Sequence, residues 1–107
     1  MKNIAIFVSG GGSNFKSIHH HIQLGEIAGR IVLTVSNNAD SGSIKYAREN
    51  KIPSLIINKV RHLNLVAQEE FLIQSLMKNE VDLICLAGYM KLLPKRIVHQ
   101  YQNRILN

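Results

Sequence analysis

Short apolar runs alternate with amphipathic stretches along the whole chain. The run NIAIFV, residues 3–8, reads as a strand, and three glycines follow close behind it. SNFKSIHHHIQLG, residues 13–25, predicts a helix with Phe15, Ile18 and Ile22 on one face and Gly25 just past its end. Ser13 and Asn14 are the candidate caps of that helix. RIVLTVS, residues 30–36, is rich in β-branched residues and reads as a second strand. DSGSIKYAREN predicts a helix capped by Asp40 or Ser41, with Ile44 and Ala47 facing inward. Pro53 closes that region, and SLII forms a short third strand. Asn64 caps a longer helix, in which Leu72 and Leu76, and Ile73 and Met77, align at i, i+4. VDLICLAG, residues 81–88, is almost continuously apolar, as expected of a strand buried on both faces. LPKRIVHQY places Pro94 in the first turn of a helix, with Ile97, Val98 and Tyr101 pointing in. RILN, residues 104–107, opens a fifth strand.

Strands alternating with helices predict an α/β fold, a parallel sheet flanked by helices and joined by right-handed crossovers. Residues 1–107 form one portion of a single domain on this reading. The fifth strand opens at RILN without a helix after it, so we expect a truncated piece of a larger domain. Open parallel sheets bind ligands beyond the C-terminal ends of their strands, where the strand order switches. Two such ends stand out: SGGGSN after the first strand and AGYMKLLP after the fourth.

Composition narrows the class. Apolar residues make up 46% and charged residues 19%, a globular balance with no apolar run long enough to span a membrane. The N-terminal run is too short for a signal peptide, so we expect a cytoplasmic protein. Thirteen Lys and Arg against seven Asp and Glu give a net charge of +6. Lys2, Lys16, Arg30, Lys45, Lys59, Lys78 and Lys91 are scattered, however, and the few aromatics do not interleave with them as a nucleic-acid platform would need. Neither nucleic acid nor membrane is an expected partner; a positive field also suits small anionic substrates. The single cysteine, Cys85, reads as a structural thiol.

The SGGGSN loop admits several chemistries. The dinucleotide fingerprint fails twice: its third glycine falls on Phe15, and the second strand ends in Ser36-Asn37-Asn38 without an acid for a ribose hydroxyl. NAD is therefore not an expected cofactor. The Gly-Lys-Ser/Thr of a P-loop is absent as well. Two readings remain: a capped turn without a ligand, and a phosphate held on the N–H groups of Gly12, Ser13 and Asn14 with help from the helix dipole. His19, His20 and His21 are adjacent on a helix and diverge by about 100° each, the wrong geometry for shared ligation of a metal. His62 and His99 are isolated, and we expect no metal site.

Taken together, IFVSGGGSNF, VSNNADSGSIKYAREN and DLICLAGYMKLLP…RILN resemble the phosphoribosylglycinamide formyltransferase family, the folate-dependent enzymes of purine synthesis. The similarity runs in order from about residue 3 to the last residue. It implies a Rossmann-like fold and transfer of a formyl group from 10-formyltetrahydrofolate to the amine of glycinamide ribonucleotide. It also implies site roles. Gly12, Ser13 and Asn14 would hold the substrate phosphate, and Gly88 would lie against the same substrate. Met90, Lys91, Leu92 and Leu93 would form part of the folate pocket. Lys91 stands where the family often has Arg, keeping the charge but losing the fork geometry. Leu65 stands near a position where some members carry a folate-contacting Arg, and no match is assigned there.

Asn107 would be the catalytic asparagine, its amide aimed at the oxyanion of a tetrahedral intermediate and lowering the barrier by about 3 kcal/mol. The family continues past this Asn with Ile-His-Pro-Ser, whose His shuttles the proton, and with a later Asp that supports it. The 107 residues alone are therefore expected to be inactive. The expected partners are the two small molecules, with the protein a monomer or weak homodimer. Two other classes share some of these features. One is a sister enzyme of the same fold, methionyl-tRNA formyltransferase or formyltetrahydrofolate deformylase. The other is a non-catalytic phosphate-binding module.

Overall fold

The computed structural model describes residues 1–61 and 64–107. Five strands, β1 (Lys2–Phe7), β2 (Gly29–Ser36), β3 (Ser54–Ile56), β4 (Leu83–Leu86) and β5 (Ile105–Leu106), form one sheet in the order β3-β2-β1-β4-β5. Every pairing is parallel. Four helices connect them: α1 (Ser13–Gln23), α2 (Gly42–Glu49), α3 (Leu65–Lys78) and α4 (Lys95–Gln100). The chain steps from β1 outward through β2 to β3, then returns to the other side of β1 for β4 and β5. β1 is therefore the central strand, and the order reverses beside it.

Alternation along β1 sorts the core into two layers. Ala5 and Phe7 face a cluster built with Leu33, Val35, Leu72, Ile73, Leu76, Ile84, Ile97 and Tyr101, so α3 and α4 cover this side. Ile4, Ile6 and Val8 face the other way, onto Phe15 of α1 and Ala47 of α2. The helices form because their apolar residues recur on one face, and their starts are fixed by side-chain caps. The Ser41 hydroxyl accepts from the N–H of Ile44 at 3.3 Å, which settles the choice between Asp40 and Ser41. Asn64 Oδ1 accepts from the N–H of Ala67 at 2.8 Å, as the sequence predicts. Each such cap is worth about 1 kcal/mol.

The inward assignment of Val98 needs correction: it is 47% exposed, and Met77, which the spacing aligns with Ile73, is 60% exposed. α4 has only six residues, and Ile97 and the following Tyr101 already fill its contact with the sheet. α3 turns Leu72, Ile73 and Leu76 inward, and Met77 falls to the outer side. β4 is also less enclosed than a central strand: Ile84 is fully buried, but Leu83, Cys85 and Leu86 are only partly so. Burial still pushes the Cys85 thiol above its usual pKa, consistent with an unreactive side chain.

The two-layer core predicts a measurable cost. Leu76 is completely buried between α3 and the sheet. Leu76→Ala should destabilise the fold by about 2–5 kcal/mol, the usual range for emptying a packed leucine site. Urea denaturation checks this, and a cost well under 1 kcal/mol would show that α3 does not seal this face.

Candidate functional site

β1, β2 and β4 end side by side, and backbone bonds carry their alignment past the last strand residues. The N–H of Val8 donates to the Val35 carbonyl at 2.9 Å, and the N–H of Ala87 donates to the Phe7 carbonyl at 2.8 Å. The N–H of Ser9 then donates to the Gly88 carbonyl at 3.2 Å, so the loop after β1 begins against the loop after β4. This crevice is the switch point of the sheet, where a parallel α/β fold offers its ligand site.

The glycine loop turns sharply at Gly12, which is buried in a left-handed conformation with φ 82° and ψ 33°. Gly12 is itself the helix N-cap, and no side chain caps α1. Ser13 and Asn14 are therefore not caps but the first two residues of the helix, both exposed. The reason lies across the loop. Ser43, in the first turn of α2, donates its hydroxyl to the Gly10 carbonyl at 2.7 Å and its N–H to the same oxygen at 3.2 Å. Drawn in by these two bonds, the chain at Gly12 lies so close to Ser43 that an added Cβ would stand 2.9 Å from the Ser43 Cβ. Among the described residues no acceptor meets the N–H groups of Gly12, Ser13 and Asn14. Unpaired donors at the positive end of an 11-residue helix are suited to an anion.

The loop after β4 forms the second half of the site. Gly88 is exposed, with φ 78°, and turns the chain away from the strand. Met90, Lys91, Leu92 and Leu93 all line one cavity of about 890 Å³, which also takes in Tyr89, Leu65 and Lys59. Met90 is 80% and Leu92 96% exposed. Large apolar side chains held open beside a cavity are the mark of a binding surface. Tyr89 packs edge-on to Phe7 with ring centroids 5.3 Å apart, and burial raises its phenol pKa, keeping it neutral. Among the described residues neither Lys59 nor Lys91 forms an ion pair, so both charges are available to an anionic ligand.

Asn107 is exposed and lies one strand further out. The register pairs Ile105 with Ile84 and Leu106 with Cys85, which carries Asn107 to the same sheet edge as Gly88. The structure thus joins the two loops through Ser9, Gly88 and Met90, while Gly12, Ser13, Asn14, Gly88 and Asn107 do not line the cavity of the 89–93 loop. The histidines lie elsewhere. His19 Nδ1 meets the Tyr46 hydroxyl at 2.5 Å, and His21 Nδ1 lies 3.3 Å from Glu26 Oε2. His20 is exposed on α1 and His99 on α4. Among the described residues no group of three His, Cys, Asp or Glu could hold a metal; His62 lies outside those residues.

Sequence reasoning missed Ser9, Asn37 and Ser43. Ser43 carried a legible signal, a small polar residue on the inward face of a helix. Ser9 and Asn37 are 28 residues apart and meet only in the fold. No helix among the described residues is long and apolar enough to cross a membrane.

The fold and crevice define a class: a doubly wound parallel α/β domain that sets a glycine loop with open N–H donors next to a loop lining a largely apolar cavity. A sequence profile of the formyl transferase family matches residues 2–107, and the chain belongs to that family. Over 107 residues it is 44% identical to the chloroplastic phosphoribosylglycinamide formyltransferase of Arabidopsis thaliana, covering 99% of this chain and 37% of that protein. The phosphoribosylglycinamide formyltransferase of Bacillus subtilis is 34% identical, with 100% and 55% covered. Among solved structures, glycinamide ribonucleotide transformylase 1 from Geobacillus kaustophilus superposes with a TM-score of 0.92 at 28% identity, over 98% of this chain and 56% of that one. The chain therefore spans from about a third to just over half the length of these relatives.

Gly12 provides the direct check on the loop. Gly12→Val places a β-branched side chain at φ 82° and against Ser43, a conformation that costs an L-residue about 1–2 kcal/mol before any clash. Its affinity for ribose 5-phosphate should fall at least about tenfold, one lost charge-assisted bond being worth that much. Ser13→Ala keeps the backbone N–H and should change affinity less than about twofold, since only backbone donors are involved. Calorimetry on both variants separates the outcomes; equal losses would mean that side chains hold the anion.

Proposed function

We propose that this chain supplies the phosphate loop and part of the folate pocket of a phosphoribosylglycinamide formyltransferase. The reaction moves a formyl group from 10-formyltetrahydrofolate, the co-substrate, to the amine of 5'-phosphoribosylglycinamide, a step of purine synthesis. The observation that carries this reading is the adjacency of the two loops. Open N–H groups at Gly12, Ser13 and Asn14 suit one phosphate, and the cavity beside them is lined by Met90, Lys91, Leu92 and Leu93. The names of the relatives support the same assignment.

The chemistry follows from that placement. The phosphate anchors the ribonucleotide on the glycine loop, and Gly88, turning at φ 78° without a side chain, leaves room for the substrate beside it. The apolar side chains of Met90, Leu92 and Leu93 suit the flat face of a pterin. Backbone groups of the same loop can read its edge, and the Lys91 ammonium suits the carboxylates at the far end of a folate. The substrate amine then attacks the formyl carbon. A new N–C bond forms while the carbonyl π electrons move onto oxygen. Collapse of this tetrahedral intermediate breaks the bond to the folate nitrogen. Asn107, on the flank of the crevice, is the amide donor to the oxyanion. The proton shed by the amine leaves to a group other than the described histidines, none of which lines the cavity. The reading needs neither metal nor NAD, and the partners are small molecules, not nucleic acid or membrane. It places the protein in the cytoplasm as a monomer or weak homodimer.

A transfer assay on the protein at its full natural length tests the proposal. Formyl transfer to glycinamide ribonucleotide is expected, and Asn107→Ala should lower kcat by about 10²–10³ with little change in either KM, as removal of one oxyanion donor does. Wild-type rates in the Asn107 variant would remove it from the mechanism. Release of formate without an amine acceptor, or formylation of methionyl-tRNA, would assign the site to a sister enzyme.

A further inference from the structure

Three loops of the crevice meet at one hydroxyl. Ser9 is the first residue after the apolar run of β1 and is 9% exposed. Its Oγ accepts from the N–H of Met90 at 2.8 Å and donates to Asn37 Oδ1 at 2.6 Å. The arrangement uses the hydroxyl fully in sequence: a backbone N–H can only donate, so the single Ser9 proton is left for the Asn37 carbonyl oxygen. Asn37 sits at the end of β2 and lines the cavity. Its own backbone carbonyl accepts from Asn58 Nδ2 at 3.1 Å, and Asn58 Oδ1 accepts from the N–H of Arg61 at 2.9 Å. A continuous line of bonds thus runs from the loop after β4, through the glycine loop, to the segment after β3. Ser9 lies three residues before Gly12, and Met90 lies two after Gly88. The hydroxyl therefore stands between the phosphate donors and the open apolar loop of the cavity.

We propose that Ser9 is a positioning residue that couples the two halves of the site, so that an anion on the glycine loop stiffens residues 88–93 and tightens binding in the cavity. The inference rests on the functional reading above for the identity of the two ligands, but the junction itself does not. Anion binding draws on the N–H groups at residues 12–14, and the adjoining backbone at Ser9 answers to the same loop geometry. Tyr89 and Leu93 pack against the core at the two ends of the 89–93 loop; between them Met90 and Leu92 pack against little, and the Ser9 hydroxyl is the acceptor that fixes the Met90 N–H. Removing it frees that N–H and the Asn37 amide together, without opening a large cavity. Asn37 also becomes free to turn its amide about, which matters because its Nδ2 donors are otherwise kept clear of Ser9 for whatever enters the cavity.

Amide hydrogen exchange and ligand binding on Ser9→Ala and Ser9→Thr test this. In the free protein, Ser9→Ala should speed exchange of the Met90 N–H about tenfold while leaving α3 and the central strands unchanged, and Ser9→Thr, which keeps the hydroxyl, should restore it. With the wild type, saturation by ribose 5-phosphate should slow exchange across residues 88–93 and lower the Kd for 10-formyltetrahydrofolate several-fold. In Ser9→Ala both effects should vanish, while the Kd for ribose 5-phosphate alone changes less than about twofold. Two results would overturn the proposal. One is wild-type exchange and wild-type coupling in Ser9→Ala. The other is a loss of both affinities by equal factors together with faster exchange throughout the sheet, which is what a merely structural serine gives. If the wild type binds no formyl folate while Ser9→Ala still releases Met90, the assignment of the cofactor is wrong and the junction stands.

Discussion

The site depends on the carbonyl oxygen of Gly10, which takes both the hydroxyl and the N–H of Ser43. This clamp ties the loop after β1 to the first turn of α2, an element 33 residues away in sequence. It brings the chain so close at Gly12 that no Cβ fits, and it holds that residue left-handed. The helix α1 consequently starts without a side-chain cap, and its first N–H groups stay open. With glycine as the N-cap, the missing side-chain bond costs only about a few tenths of a kcal/mol. Here the same open donors suit an anion, so the local cost and the proposed anion site have one cause.

Around this clamp the rest of the crevice follows from topology. β1 is central because the chain leaves it in both directions, and its two faces are buried by different helix pairs. A rigid strand buried on both sides fixes the positions of Ser9 and Gly10 at its end. The neighbouring strands then bring Asn37 and Gly88 to the same edge. The cavity wall is different in kind. Met90, Lys91 and Leu92 are exposed, and their loop is held by the Ser9 hydroxyl and by Tyr89 and Leu93, which pack against the core at its two ends. The site thus joins a fixed half with open N–H donors to a more loosely held apolar half.

Much of this was legible in the sequence because it is periodic or local. The βα rhythm, the Asn64 cap, the inward Ile97 and Tyr101, and the glycine loop all follow from spacing within a dozen residues. The parts that were not legible are those set by distant partners. Ser13 and Asn14 are good cap residues in isolation, but the pull of Ser43 on Gly10 moves the cap to Gly12. Val98 satisfies the helical pattern and still faces solvent, because a six-residue helix has contact area for only two inward positions. Ser9 and Asn37 gave no signal at all; their bond joins the ends of two strands, and only the sheet register brings them together. Asn107 is a related case. Its role came from resemblance, and the register of β5 adds only that it reaches the same edge as Gly88.

The central claim is that backbone N–H groups of the glycine loop, held open by the Ser43 clamp, are the anion site. Nuclear magnetic resonance titration of the amide-labelled protein with ribose 5-phosphate tests it most directly. The account predicts saturable downfield shifts of the Gly12, Ser13 and Asn14 amide protons, with one shared affinity, and a weaker affinity for the same shifts in Ser43→Ala, where the Gly10 carbonyl loses its hydroxyl donor and keeps only the backbone N–H of residue 43. Shifts confined to lysine side chains, or loop shifts that survive unchanged in Ser43→Ala, would contradict it.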